Sequence, residues 1–85
     1  MKNLEKYNDA FLKIFAIDDS QLELLKYQSI ESWDSVGHMA LIAELEDNFD
    51  IEMEIDDIIE FSDYKKGKEI LKKYENLYEL DGSEM

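Results

Sequence analysis

Residues 33–54 read WDSVGHMALIAELEDNFDIEME. Ser32, Asp34 and Ser35 cluster as helix-start residues ahead of a run of strong helix formers, which predicts a helix from about Ser35 to Phe49. Advancing about 100° per residue from Val36 gathers His38, Leu41, Ile42, Leu45 and Phe49 into one arc of the width a core face needs. The other side carries Val36, Met39, Ala40, Ala43 and Asp47, with Glu44 and Glu46 as flanks. A small apolar patch set among carboxylates has the composition of a recognition surface.

Outward from this helix the pattern stays helical. Leu4, Tyr7, Phe11, Ile14 and Phe15 fall at three-and-four spacing and predict a helix over 4–15 with Asn3 as its cap. Residues 16–33, AIDDSQLELLKYQSIESW, hold no sustained period and read as a long ordered loop in which Leu22, Leu24, Leu25 and Tyr27 could make one helical turn. After Phe49, residues 56–61 can form a short helical piece, Ser62 can cap the next helix, and Tyr64, Ile70, Leu71, Tyr74, Leu77 and Tyr78 share a face over 63–78. The tail from Glu79 is expected to fray. These stripes predict an all-α fold: one small antiparallel bundle of three main helices plus a short one, a single domain over 1–85 with its ordered part at about 3–78. The expected core is Phe11, Ile14, Phe15, Leu41, Leu45, Phe49, Ile58, Leu71 and Tyr74, with Trp33 plugging one end.

Composition bounds what such a bundle does. Eighty-five residues leave room for one domain, and the absence of proline removes much of the punctuation that many short strands would need. With 22 Asp and Glu against 9 Lys, the formal net charge of -13 repels phosphate backbones and anionic lipid, so basic protein surfaces are the expected partners and nucleic acid is not. No apolar run approaches the ~20 residues of a membrane span, and without cysteine there is no disulfide, so a cytoplasmic monomer is expected. The charge is also segregated: twelve acids and no lysine lie between Tyr27 and Tyr64, while five lysines crowd into 65–73. Solubility alone explains the total but not that division.

Chemistry-bearing residues are few. Ser35 emerges among the unpaired N–H groups and positive dipole of a helix start, where an attached phosphate would be favoured, although serines there are more often plain caps. His38 is the single histidine, lies on the core arc and has no second residue at a spacing that would make it a base, so packing or capping is its expected role. Alternating acids at Asp50, Glu52, Glu54 and Asp56 prompt a calcium reading, but a loop counted from Asp50 has Ile55 and Phe61 where an EF-hand needs Gly and Glu. No metal site and no catalytic constellation is expected, so the chain reads as no enzyme.

The run from Trp33 resembles the acyl carrier protein family, whose signature is an Asp-Ser-hydrophobic triplet opening the second helix and a Leu-Glu-acidic-x-Phe closing it. Asp34, Ser35 and Val36 match the first, and Leu45, Glu46, Asp47 and Phe49 the second. The first helix, the long loop, the short acidic third helix and the last helix match as well, so the resemblance covers almost the whole chain. It implies a 4'-phosphopantetheine arm, taken from coenzyme A, on Ser35, holding an acyl or related group as a thioester for fatty acid or specialised biosynthesis. It further implies that Asp34 assists the phosphopantetheinyl transferase (holo-carrier synthase). A loading ligase or transferase and downstream synthases would grip Val36 and Met39, with Glu46 and Asp47 facing their basic residues. Ala43 and Glu44 join that docking face from the angular placement. Aminoacyl or peptidyl cargo, or an acidic interaction domain with no prosthetic group, are the alternatives. Gly37 and Ala40 depart from primary fatty acid carriers, which usually have acids there, and Trp33 stands where they commonly have glycine. Gly37 costs the helix roughly 1 kcal/mol relative to Ala, which suggests close approach by a partner or mere tolerance.

Overall fold

A computed structural model describes residues 3–74. Helix α1 (Asn3–Phe15) starts one residue earlier than expected, taking Asn3 into its first turn, and buries Tyr7, Ala10, Phe11 and Phe15 along one stripe. Helix α2 (Ser35–Phe49) has the predicted bounds and buries Leu41, Ile42 and Leu45. Its start is set by Asp34, the N-cap, whose Oδ1 accepts from the Gly37 N–H at 2.8 Å. Its end is set by Asp50, which turns left-handed at φ 55° and returns its N–H to the Glu46 carbonyl. Lys13 pairs with Glu44 and the Asn48 amide donates to the Lys6 carbonyl, so earlier residues of α1 meet later ones of α2 and the two helices run antiparallel.

The expected loop over 16–33 is not without structure. Asp19–Leu24 wind into a 3-10 helix, whose three residues per turn leave no α-helical period for a pattern to follow. The next residues lie against the start of the last helix: Tyr27 N–H donates to the Ser62 carbonyl and Tyr64 N–H to the Leu25 carbonyl, around an isolated antiparallel bridge from Lys26 to Asp63. The loop then turns back and delivers Trp33, fully buried, against Phe15 with ring centroids 5.2 Å apart. Among the described residues that bridge is the one piece of β pairing, and the fold is all-α.

Helix α3 (Ile55–Glu60) matches the predicted short piece to within a residue. Helix α4 (Tyr64–Leu71) departs at both ends. Its cap is Asp63, not Ser62: the Asp63 carboxylate accepts from the Lys66 N–H at 2.6 Å, a stronger acceptor than a hydroxyl. It stops at Leu71, well short of 78, because Lys73 and Tyr74 tighten the chain with bonds to the Ile70 and Leu71 carbonyls. Leu77, Tyr78 and the tail from Glu79 lie outside the described residues.

Of the expected core, Phe11, Phe15, Leu41, Leu45 and Leu71 are buried, while Ile14, Phe49, Ile58 and Tyr74 are half-buried around it. The centre is more aromatic than the apolar stripes suggested. Phe11 lies within 6.2 Å, centroid to centroid, of Tyr7, Phe15, Trp33, Phe61 and Tyr64. Tyr7 donates to the Tyr64 carbonyl and the Tyr64 hydroxyl to Asn8, which satisfies both phenols where they would otherwise be costly. Burial pushes the Tyr64 phenol up to about 12 and that of Tyr7 well above the usual tyrosine range.

Candidate functional site around Ser35

Ser35 is the first residue of α2 and is exposed, and its hydroxyl makes no hydrogen bond to another described residue. Asp34 stands outside the helix in extended conformation, occupying the N–H of Gly37, and its carbonyl takes the first helical bond from His38 N–H at 2.7 Å. The N–H groups of Ser35 and Val36 are left without intrahelical acceptors at the positive end of a 15-residue helix. Asp34 is thus the cap, which frees Ser35 from that task.

Beside Ser35 lies a cavity of about 370 Å³ between α2 and α3. Met39 and His38 form one wall, Ile58 and Ile59 the other, and Phe61 and Tyr27 line it further, so its lining is largely apolar. A larger groove of about 560 Å³ runs between α1 and α2, lined by Leu12 and by the polar side chains of Lys6, Asp9, Lys13, Glu44 and Asn48, and Ser35 is not part of it.

Gly37 is explained by the chain itself and not by a partner or by tolerance. A Cβ there would stand 1.9 Å from the Ser32 carbonyl oxygen and 3.3 Å from the Phe15 ring, so the loop before the helix closes onto the helix only where a side chain is missing. Trp33 plugs the bundle as expected, and His38 is half-buried on the inner side of α2, in contact with it.

The expected docking residues separate. Val36 is 77% exposed and Met39 53%, and Ala43 and Asp47 are also exposed. Ala40 is half-buried, so it does not belong to the outward side on which the angular count placed it. Glu44 turns to α1, where it meets Lys13 at 3.2 Å with 18% of its side chain exposed. Glu46 is half-buried and accepts from the Met53 N–H at 2.9 Å, holding the chain after α2. Asp47 is therefore the one carboxylate of the three that stands free beside the patch. Sequence reasoning missed Ile55 and Ile59 on α3, exposed at 74% and 73%. Their signal was four-residue spacing in a short helix whose only buried residue is Asp57.

Asp57 is held by Lys73 at 2.6 Å and by the Tyr74 hydroxyl, which in turn accepts from the Glu54 N–H at 3.1 Å. The hydrogen bonds from Lys73 and then Tyr74 hold the Asp57 carboxyl below the usual carboxylate range, against the opposing effect of burial. Among the described residues no group of three or more His, Cys, Asp or Glu side chains is placed to hold a metal ion, and no helix is long and apolar enough to cross a membrane. The chain matches no family model, no curated protein and no solved structure.

Proposed function

We propose that this chain is a carrier of the acyl carrier protein type, with a 4'-phosphopantetheine arm from coenzyme A attached at Ser35. The observation that carries this reading is the placement of Ser35: an exposed, unengaged hydroxyl at the head of α2 and at the rim of an apolar cavity. The residues fit such a group. The free N–H groups of Ser35 and Val36 and the positive end of α2 stabilise the negative charge of a phosphodiester there, by roughly 0.3–1 kcal/mol at an exposed site. Asp34 fixes the backbone of the helix start through the Gly37 N–H, so the Ser35 side chain projects from a defined position. When bound, the arm supplies a thiol that holds cargo as a thioester.

Met39, Ile58, Ile59 and Phe61 give the cavity an apolar side that suits an acyl chain, while the hydroxyls of Tyr27 and Ser62 leave an aminoacyl cargo open as the alternative. Val36 and Met39 form the contact surface for the transferase, a loading ligase and later synthases, with Ala43 and Asp47 beside them. The chain's own side chains position and present; bond making belongs to the partners, so it is no enzyme.

Incubation with coenzyme A, magnesium and a phosphopantetheinyl transferase is expected to raise the intact mass by one phosphopantetheine, and Ser35→Ala to prevent it. Modification that persists in Ser35→Ala would place the site elsewhere. No modification of the wild-type chain would leave an acidic interaction domain as the better reading.

A further inference from the structure

His38 makes two hydrogen bonds that fix its chemistry. The Trp33 indole N–H lies 3.0 Å from Nδ1, and the Ile58 carbonyl lies 2.8 Å from Nε2. An indole nitrogen can only donate and a carbonyl can only accept, so Nδ1 must be the bare acceptor and Nε2 must carry the proton. The ring is held in place on other sides by Tyr27 and Phe61, with centroids 5.5 and 6.0 Å away.

Both partners need this residue. Trp33 is fully buried, so its N–H has no recourse to water. Ile58 belongs to the last turn of α3, where carbonyls have no intrahelical donor. Helix α3 has limited apolar anchorage: Ile58 packs half-buried against the core, but its one buried residue is the carboxylate Asp57, and Ile55 and Ile59 face out. It hangs on polar ties, Asp57 to Lys73 and Tyr74 at its first turn and His38 at its last. Ile58 and Ile59 are the wall that faces Met39 across the cavity, one turn along from Ser35.

We propose that His38, as the Nε2–H tautomer, is a positioning residue that ties α3 to α2 and so sets the wall of the cavity beside Ser35. Its ring also lines that cavity, but both of its nitrogens are engaged by Trp33 and Ile58, so its part there is to position and not to react. The use of that cavity rests on the carrier reading, but the tie itself does not. Glutamine, with one acceptor and one donor on a single carbon, can serve both partners, whereas leucine can serve neither.

His38 is the only histidine and Trp33 the only tryptophan, so NMR of the unmodified chain reads both rings without ambiguity. Long-range proton–nitrogen correlation is expected to show one tautomer, protonated at Nε2; a ring protonated at Nδ1, or averaging between the two, overturns the proposal. In hydrogen exchange, His38→Leu is expected to speed the amides of residues 58–61 by about tenfold or more while those of α1 change little, and His38→Gln to stay within about threefold of wild type. Unchanged α3 exchange in His38→Leu, or His38→Gln as fast as His38→Leu, overturns it as well. Should His38→Leu fail to fold, the tautomer and His38→Gln still decide. Neither readout involves Ser35: a chain with this tautomer that accepts no group on Ser35 refutes the carrier reading and leaves the role of His38 standing.

Discussion

Gly37 is where a single missing carbon decides local structure. In an exposed helix, alanine would be worth roughly 1 kcal/mol more than glycine, so propensity alone argues for replacement. The 1.9 Å approach to the Ser32 carbonyl argues the other way, because the obstacle is backbone and cannot rotate aside. Gly37→Ala is therefore expected to lose about 1–3 kcal/mol in urea unfolding and to shift the fluorescence of Trp33, which the same loop carries into the core. A gain in stability would mean that the loop does not close on α2. Asp50 presents the opposite case. It holds φ 55° at the end of α2, a conformation that glycine adopts without strain, so Asp50→Gly is expected to raise stability by up to about 1 kcal/mol. A thermal midpoint at or below that of wild type would contradict it.

Helix α3 shows how an element can be predicted without its attachment being predicted. Its existence was legible in residues 56–61 and its bounds came within a residue, although, unlike α2 with its Asp34 cap, it has no side-chain cap. Its anchorage was not: an apolar pattern points to Ile58, whereas the buried residue is Asp57, satisfied by Lys73 and Tyr74 at sequence distances no period reports. The early end of α4, where the Lys73 and Tyr74 N–H groups turn to the Ile70 and Leu71 carbonyls, also has no glycine or proline to announce it. Likewise Ser35 stood out in the sequence as a candidate through its motif, but the cavity beside it needed α3 in place. The anchorage has a pH signature. The Asp57 carboxyl titrates below its unfolded value of about 3.9, so its contribution to stability is fully present above that value and is lost as pH falls through the lower folded one. The stability difference between wild type and Asp57→Asn should hold steady above about pH 5 and shrink below about pH 4. A difference independent of pH down to 2 would show that the carboxylate is not what holds α3.

For the whole molecule, a net charge of -13 acts at long range while apolar groups act only on contact. Met39 on α2 and Ile59 on α3 line the cavity, Val36 is exposed next to Ser35, and Asp47 on α2 and Glu60 on α3 are exposed acids on the same two helices. Glu44 and Glu46 hold other parts of the fold, so reversing them would confound a loss of charge with a loss of structure. Asp47→Lys with Glu60→Lys tests charge more cleanly. Fields from exposed groups are screened beyond ~8 Å at physiological salt, so these acids should act mainly on the encounter with a basic partner, and Val36 and Met39 on the lifetime of the docked state. In stopped-flow association with a phosphopantetheinyl transferase, the double reversal is expected to slow association several-fold and flatten its dependence on salt, with dissociation little changed. Met39→Ala should do the reverse, leaving the salt slope intact and speeding dissociation about tenfold, since a well-packed contact residue contributes on the order of 1–2 kcal/mol. If the reversal leaves both the association rate and its salt slope untouched, the acids beside the patch serve solubility alone and recognition must be sought on the apolar residues by themselves.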